Sequence, residues 1–297
     1  MSEAEVRKTI DELLTLYDLE PSIRDVFVEG PSDRAVIEWF LAEVQIEDVA
    51  VQEIATVDIP YEETQKHSLE DNNRGRVIAL AFALQMRAGA DLTSSVACIA
   101  DTDLDTVLER TYDCPLLIFT VFTSLELYLY DPIIVGKFFR LVITNFRRDT
   151  EKILSAFTGV LTELFLIRVA NQELRFGIKP LPFNKFLKIN GYSIDFDQTE
   201  YLTRYLSKGA RLRAYDRFVR LVQEYSNRLP DDPRTHMHGH DFVDLLLLYV
   251  TEMKKPKKAY QRELFARSLF GVLEPRFIQN KPLFQELVNR FASTGAD

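Results

Sequence analysis

Residues Asp25–Leu41 read DVFVEGPSDRAVIEWFL, and Ser95–Asp105 read SVACIADTDLD. Val26-Phe27-Val28 is a short apolar run stopped by Gly30 and Pro31, which is the pattern of a buried strand. Ser32 can cap a helix that begins near Asp33, with Val36, Ile37, Phe40 and Leu41 on its inner face. Ser95–Ala100 reads as another buried strand, ending at Asp101. A further strand is expected within Val49–Ile59, a helix over about Arg74–Arg87, and a fourth strand at Pro115–Phe119. Strands that alternate with helices pair in parallel and build an α/β layer. In such sheets ligands bind beyond the carboxyl ends of the strands. Two of those ends carry acids here, Glu29 and Asp101.

Outward from this core the pattern changes. A short leading helix is expected over residues 3–17, from the spacing of Val6, Ile10, Leu13, Leu14 and Tyr17. Beyond Pro132 the periodicity is helical, over Ile133–Ile143, Glu151–Ala170, Thr199–Leu206, Ala210–Asn227, Asp241–Met253 and Tyr260–Leu273. A candidate small hairpin lies within Glu173–Ile178 and Lys185–Phe196. The expected organisation is an α/β domain over 1–131, with a mainly parallel sheet flanked by helices. A mostly α-helical region over 132–297 follows.

The 297 residues are 46% hydrophobic, ample for a core. No run approaches the roughly 18 apolar residues of a membrane span, and the acidic, amphipathic N-terminus does not read as a signal peptide. Two cysteines, Cys98 and Cys114, suit reduced thiols and a cytoplasmic chain. The net charge of −9 is unevenly spread. Residues 1–129 hold 9 Lys+Arg against 26 Asp+Glu, and residues 130–297 hold 27 against 19. An acidic first part and a basic second part suggest an acidic site and a separate grip for a polyanion.

Asp101-Thr102-Asp103-Leu104-Asp105 sets three acids at a spacing of two, directly after a strand. Gathered carboxylates repel unless a cation relieves them. Mg²⁺ takes few protein carboxylates and fills its remaining positions with water and phosphate oxygens. Glu29, Asp101, Asp103 and Asp105 fit that demand. Each motif has a plainer reading too: Glu29 as a solvent-facing strand end, and DTDLD as a solvated loop or helix cap.

VFVEGPSDRAVIEWFL followed by ACIADTDLD resembles the two signature motifs of the TOPRIM domain, found in topoisomerases, primases and OLD-class nucleases. NNRGRVIALA (72–81), FTSLELYL (122–129) and GHDFVDLLL (239–247) make the chain similar to the DUF4435 group within it. That group includes the nuclease effectors of the PARIS anti-phage defence system. The resemblance implies Glu29 as metal ligand or general base and Asp101 and Asp103 as the DxD ligands, together forming the catalytic set. It adds Asp105 and Glu126 as completing acids and Asp33 as a residue that orients Glu29 or reaches the metal through water. It further implies Mg²⁺, with Mn²⁺ as the alternative cation, a nucleic-acid substrate with transfer RNA favoured, and a homodimer when active. An ABC-type ATPase partner would restrain the effector and release it, and no membrane is involved. The alternatives are a catalytically weak module that docks on the ATPase, or a DNA-directed OLD-type nuclease.

Other stretches carry two readings each. Asn72-Asn73-Arg74-Gly75-Arg76 feeds a helix start, where free N–H groups and the cations Arg74 and Arg76 can hold a phosphate, or the loop is a plain cap. Arg211, Arg213, Arg217 and Arg220 have helical spacing, as a phosphate track or a solvated face. KKPKK (254–258) reads similarly. HMHGH (236–240) could present three His along one strand face to a metal. The plainer reading has His240 and Asp241 open a helix, with His240 satisfied by a backbone partner.

Overall fold

The computed structural model of the chain describes residues 7–256 and 258–292. Positions 3–6 of the expected leading helix, and Lys257 of KKPKK, fall outside the described residues. In chain order the strands are β1 (Lys8–Thr9), β2 (Asp25–Val28), β3 (Ala50–Glu53), β4 (Val57–Asp58), β5 (Val96–Ala100), β6 (Leu117–Phe119), β7 (Leu187–Asn190) and β8 (Ser193–Phe196). The first helices are α1 (Ile10–Leu19), α2 (Pro31–Glu43), α3 (Tyr61–Lys66), α4 (Asn73–Arg87), α5 (Asp105–Leu108) and α6 (Pro132–Phe138). They are followed by α7 (Thr150–Glu173), α8 (Gln198–Lys208), α9 (Tyr215–Ser226), α10 (Gly239–Lys254), α11 (Arg262–Phe270) and α12 (Pro282–Ala292).

The chain forms two compact units, and neither is continuous in sequence. Among the described residues the first holds 7–102, 111–121 and 274–292, and the second holds 103–110 and 122–273. The sequence pattern places its boundary at 131/132. The contacts differ because the C-terminal helix α12, which periodicity reading stopped short of, belongs to the first unit, and because the DxDxD run divides after Thr102.

The first unit is built on a parallel four-stranded sheet in the order β3-β2-β5-β6. This is the α/β class expected, with more than half of the chain helical. All four residues of β2 are buried, including Asp25. That carboxylate is tolerated because the Tyr17 hydroxyl and the Gln52 amide donate to it, at 2.8 and 3.1 Å. Burial, with the charge of Asp25 beside it, pushes the Tyr17 phenol far up, so it stays a donor. Helix α4 packs Val77, Ile78, Leu80 and Leu84 into the same core as Phe27 and Cys98. Helix α12 sets Phe284 edge-on to Phe40 of α2, 4.7 Å between ring centroids. Its Arg290 donates to the carbonyls of Val96 and Pro115, each at 2.9 Å, and Arg24 donates to the Phe291 carbonyl at 2.7 Å.

Several local expectations are corrected. Helix α2 starts at Pro31, not near Asp33 with Ser32 as cap. Proline is pre-shaped for a first helical position, and the Asp33 carboxylate accepts the Gly30 N–H at 3.1 Å. The segment 49–59 is two short strands split by a 3₁₀ turn at Ile54–Thr56, and β4 pairs in parallel with β1 apart from the main sheet. The leading helix begins at Ile10, where Thr9 and Glu12 form a reciprocal capping box.

The second unit is mostly helical. Helix α7 is longer than expected, and by length and composition alone it is long and apolar enough to cross a membrane, with a mean hydropathy of 1.7 over 18 residues. Of that window 61% is buried inside the protein, as in a core helix. The expected hairpin is β7–β8, antiparallel, turning at Gly191 with φ +63°. Residues 173–178 contribute no strand to it, because α7 runs on to Glu173. The expected helix at 133–143 passes into a π turn over Phe139–Ile143.

Phe284 is 1% exposed, so Phe284→Ala removes a buried ring and leaves a cavity under α2. The expected loss is about 3–5 kcal/mol of unfolding free energy, read from urea denaturation. A loss under about 1 kcal/mol would show that α12 does not share the core of the first unit.

Candidate functional site

In the first unit the carboxyl ends of β2, β5 and β6 are tied to one another and to the start of α4. Glu29 follows β2 directly, and its Oε1 accepts the backbone N–H of Asp101, the residue after β5, at 2.8 Å. The strand-end carbonyls are claimed by α4. Asn73 Nδ2 donates to the Glu29 carbonyl at 2.8 Å, and Arg74 Nε donates to the Asp101 carbonyl at 2.7 Å. Thr102 N–H donates to the Thr120 hydroxyl at 2.9 Å, and the Thr102 hydroxyl returns a bond to the Thr120 carbonyl. The two acids that the sequence placed at strand ends are therefore neighbours on adjacent strands.

The NNRG loop explains itself at close range. Asn72 caps α4 through the Gly75 N–H at 2.8 Å. A Cβ on Gly75 would stand 2.0 Å from the Glu70 carbonyl oxygen, so only glycine lets the loop fold back over the helix start. Arg74, expected to hold phosphate, has a structural contact set. Its guanidinium lies 5.8 and 6.0 Å from the rings of Tyr112 and Phe119, in addition to its bond to Asp101. Arg76 pairs with Asp71 at 2.8 Å. Asp33, expected near a metal, caps the Gly30 turn.

Asp103 and Asp105 belong to the second unit. Asp103 takes a left-handed conformation, φ +50°, and its N–H donates to the Thr123 carbonyl at 2.9 Å. An aspartate tolerates that region better than most residues. Asp105 is buried and opens α5, with Arg110 at 3.9 Å.

Glu126 lies on a 3₁₀ turn at Leu125–Leu129 and meets the start of α10. Ser124 Oγ donates to its Oε2 at 2.7 Å, and His240 Nε2 stands 3.3 Å from its Oε1. A Cβ on Gly239 would come within 2.1 Å of Ser124 Oγ and 2.5 Å of Glu126 Oε2, so FTSLE and GHDF meet only because position 239 is glycine. Burial alone would raise the Glu126 pKa, but the hydrogen bond and charge of His240, with Ser124 assisting, hold it well below the usual carboxylate range. The same bond raises His240 against its desolvation.

The three histidines do not share one face. His236 Nδ1 meets the Thr162 hydroxyl at 3.1 Å, and burial lowers its pKa. His238 Nδ1 is enclosed with no hydrogen-bond partner among the described residues, and burial followed by the nearby Arg168 charge lowers its pKa. His240 pairs with a carboxylate, not with the backbone partner that the sequence suggested.

Arg168 and Asp241 form a two-pronged pair, with Nη2 2.7 Å from both carboxylate oxygens and Nε 3.3 Å from Oδ2. Sequence reading passed over Arg168. Its signal was a lone arginine in the apolar run LFLIRVA, which a buried helix face does not carry without a partner. Arg211, Arg213, Arg217 and Arg220 are exposed, with Arg213 on a 3₁₀ turn and Arg217 and Arg220 on α9.

Among the described residues no group of three or more His, Cys, Asp and Glu side chains is arranged to hold a metal ion by itself. No family model matches the chain, and no curated protein matches it in sequence.

The Glu126–His240 pair makes a pH prediction. The folded protein keeps a proton on His240 that the unfolded chain releases near 6.5, so this contribution is complete below that pH and fades as pH rises through the raised folded value. The Glu126 contribution is present above 4.5 and fades as pH falls through its depressed value. Glu126→Gln should lower the His240 pKa in an NMR titration of its ring and flatten both limbs of the stability profile. An unmoved His240 titration would dissolve the pair.

Proposed function

We propose that the chain is a Mg²⁺-dependent, TOPRIM-like nuclease of the DUF4435 group, acting in the cytoplasm as a toxic effector of anti-phage defence. The observation that carries this reading is the meeting of Glu29 with Asp101 at the carboxyl ends of adjacent parallel strands. The sheet order β3-β2-β5-β6 supports it, since β2 and β5 are the central strands and their ends are where an α/β sheet offers a ligand site.

The donor set fits the cation. Glu29 and Asp101 offer hard carboxylate oxygens, and Mg²⁺ asks one or two of these from a protein that also presents it with phosphate. Glu29 and Asp101 would hold it, and the resemblance adds Mn²⁺ as a substitute. When bound, such a cation neutralises charge on a phosphodiester and makes a water a better nucleophile. The chain itself supplies rigidity. Asn73 and Arg74 hold the strand-end carbonyls, and the Asp101 amide fixes one oxygen of Glu29, so that carboxylate meets substrate without reorganising. The substrate is a nucleic acid, with transfer RNA favoured by the resemblance. An ABC-type ATPase would restrain the effector, and the released form would act as a homodimer.

A second reading has an observation of its own. A Glu29 oxygen already satisfied by a backbone amide is also what a structural strand-end acid looks like, which suits an interaction module that docks on the ATPase.

One substitution separates the two. Glu29→Gln keeps an acceptor for the Asp101 N–H while removing the charge. With labelled transfer RNA and Mg²⁺, cleavage should fall by at least about 100-fold, the scale of losing a group that handles charge in the transition state. The melting temperature should stay within a few degrees of wild type. Cleavage at the wild-type rate would remove Glu29 from the chemistry. A wild-type chain that cuts neither RNA nor DNA with Mg²⁺ or Mn²⁺ would favour the docking module.

A further inference from the structure

Two loops of the second unit abut and present cations that no carboxylate among the described residues pairs with. Residues 175–179 follow α7, and residues 208–213 run on from the last residue of α8. Their contact is close: a Cβ on Gly209 would stand 2.4 Å from Ile178 Cδ1, and Lys208 Nζ reaches the Lys179 carbonyl at 3.5 Å. The Arg211 guanidinium lies 5.2 Å from the Phe176 ring, which stacks on Phe218 of α9. Three residues sit in the left-handed region, Arg175 at φ +53°, Gly177 at +63° and Ala210 at +54°. The loops are anchored from beneath, where Asn171 accepts the Ile178 N–H and Tyr205 donates to the Ile178 carbonyl, each at 3.0 Å. Two non-glycine residues held at positive φ by such anchors mark a shape that the surrounding packing imposes.

Arg175, Lys179, Lys208 and Arg211 are all exposed on this joined surface. None forms an ion pair with a described carboxylate, in contrast to Arg204 with Glu200 and Arg228 with Glu224 nearby in sequence. The acid next to the first loop, Glu173, accepts from the Tyr225 hydroxyl at 3.2 Å. Residues 174–220 hold ten Lys+Arg and four Asp+Glu in a chain whose net charge is −9. Like charges gathered on anchored loops repel one another, and a ligand with closely spaced anions relieves several at once.

We infer that the joined surface of loops 175–179 and 208–213 binds the phosphate backbone of a nucleic acid. A nucleic-acid backbone fits because its charges are regular and close, and each contact releases a condensed counterion. In choosing a nucleic acid over an acidic protein the inference rests on the nuclease reading, but its test uses no catalysis. Arg211 and Arg213 were singled out by spacing alone. The structure adds Arg175, Lys179 and Lys208, which no periodicity connects to them.

The test is fluorescence anisotropy of the full chain with a labelled single-stranded RNA and an RNA duplex, in EDTA, from 50 to 200 mM salt. The variant Arg175→Gln, Lys179→Gln, Lys208→Gln, Arg211→Gln should bind both about tenfold or more weakly. Its salt dependence should be shallower by about 3, four contacts at about 0.7–0.9 each. A control removes four acid-paired cations instead: Lys66→Gln, Arg204→Gln, Arg228→Gln and Arg276→Gln. It should bind like wild type, and both variants should melt near the wild-type temperature. Unchanged affinity and slope in the first variant would overturn the inference. An equal loss in the control would reduce it to net charge. Displacement of RNA by poly-glutamate at lower concentration than by unlabelled RNA would reassign the surface to an acidic protein. Because binding is read without metal, a wild-type chain that binds RNA through this surface yet cuts neither RNA nor DNA would fail the nuclease reading's chemistry alone.

Discussion

The parallel sheet of the first unit depends on how its strand ends are closed. Where β2, β5 and β6 stop, the ladder no longer pairs their backbone groups, and a buried unpaired group costs about 1–3 kcal/mol. The chain closes these ends with side chains: Glu29 on the Asp101 amide, Asn73 and Arg74 on the two carbonyls, and Thr120 on Thr102. Of the two neighbouring acids at that edge, Glu29 is held through its side chain by backbone pairing, and Asp101 contributes its amide and carbonyl. A fixed strand-end carboxylate is also what a phosphate-directed metal site needs, so one arrangement serves structure and the proposed chemistry.

Glycine governs the other close approaches. Gly75 lets the polar loop fold over the start of α4, and Gly239 lets α10 begin against Ser124 and Glu126. In the second unit two buried carboxylates sit in pairs. Arg168 is met by Asp241 with both prongs, and Glu126 by His240. The His238 pKa is lowered, since burial and the Arg168 charge both oppose its protonation.

Charge divides along the sequence. Acids dominate residues 1–129, while cations dominate from 130 onward, and those on loops 175–179 and 208–213 form no ion pair among the described residues. In the proposed nuclease an acidic centre would hold a cation and repel a polyanion, and the cations of those two loops would offset that repulsion.

The sequence by itself determined the elements whose signal is local. VFV and VACIA read as buried strands because continuous apolar runs bounded by Gly, Pro or Asp have no other stable place, and α2, α4 and α10 followed from apolar residues at helical spacing. Glu29 and Asp101 were legible as strand-end acids for the same reason. Only the tertiary structure decided what those side chains meet. Asp33 meets the Gly30 amide and Arg74 the Asp101 carbonyl, contacts that no local pattern spells out. Arg168 found Asp241 across 73 positions of chain. The C-terminal helix α12 joined the first unit because its apolar face, with Phe284 against Phe40, completes that core, and a contact between residues 244 positions apart leaves no trace in local periodicity.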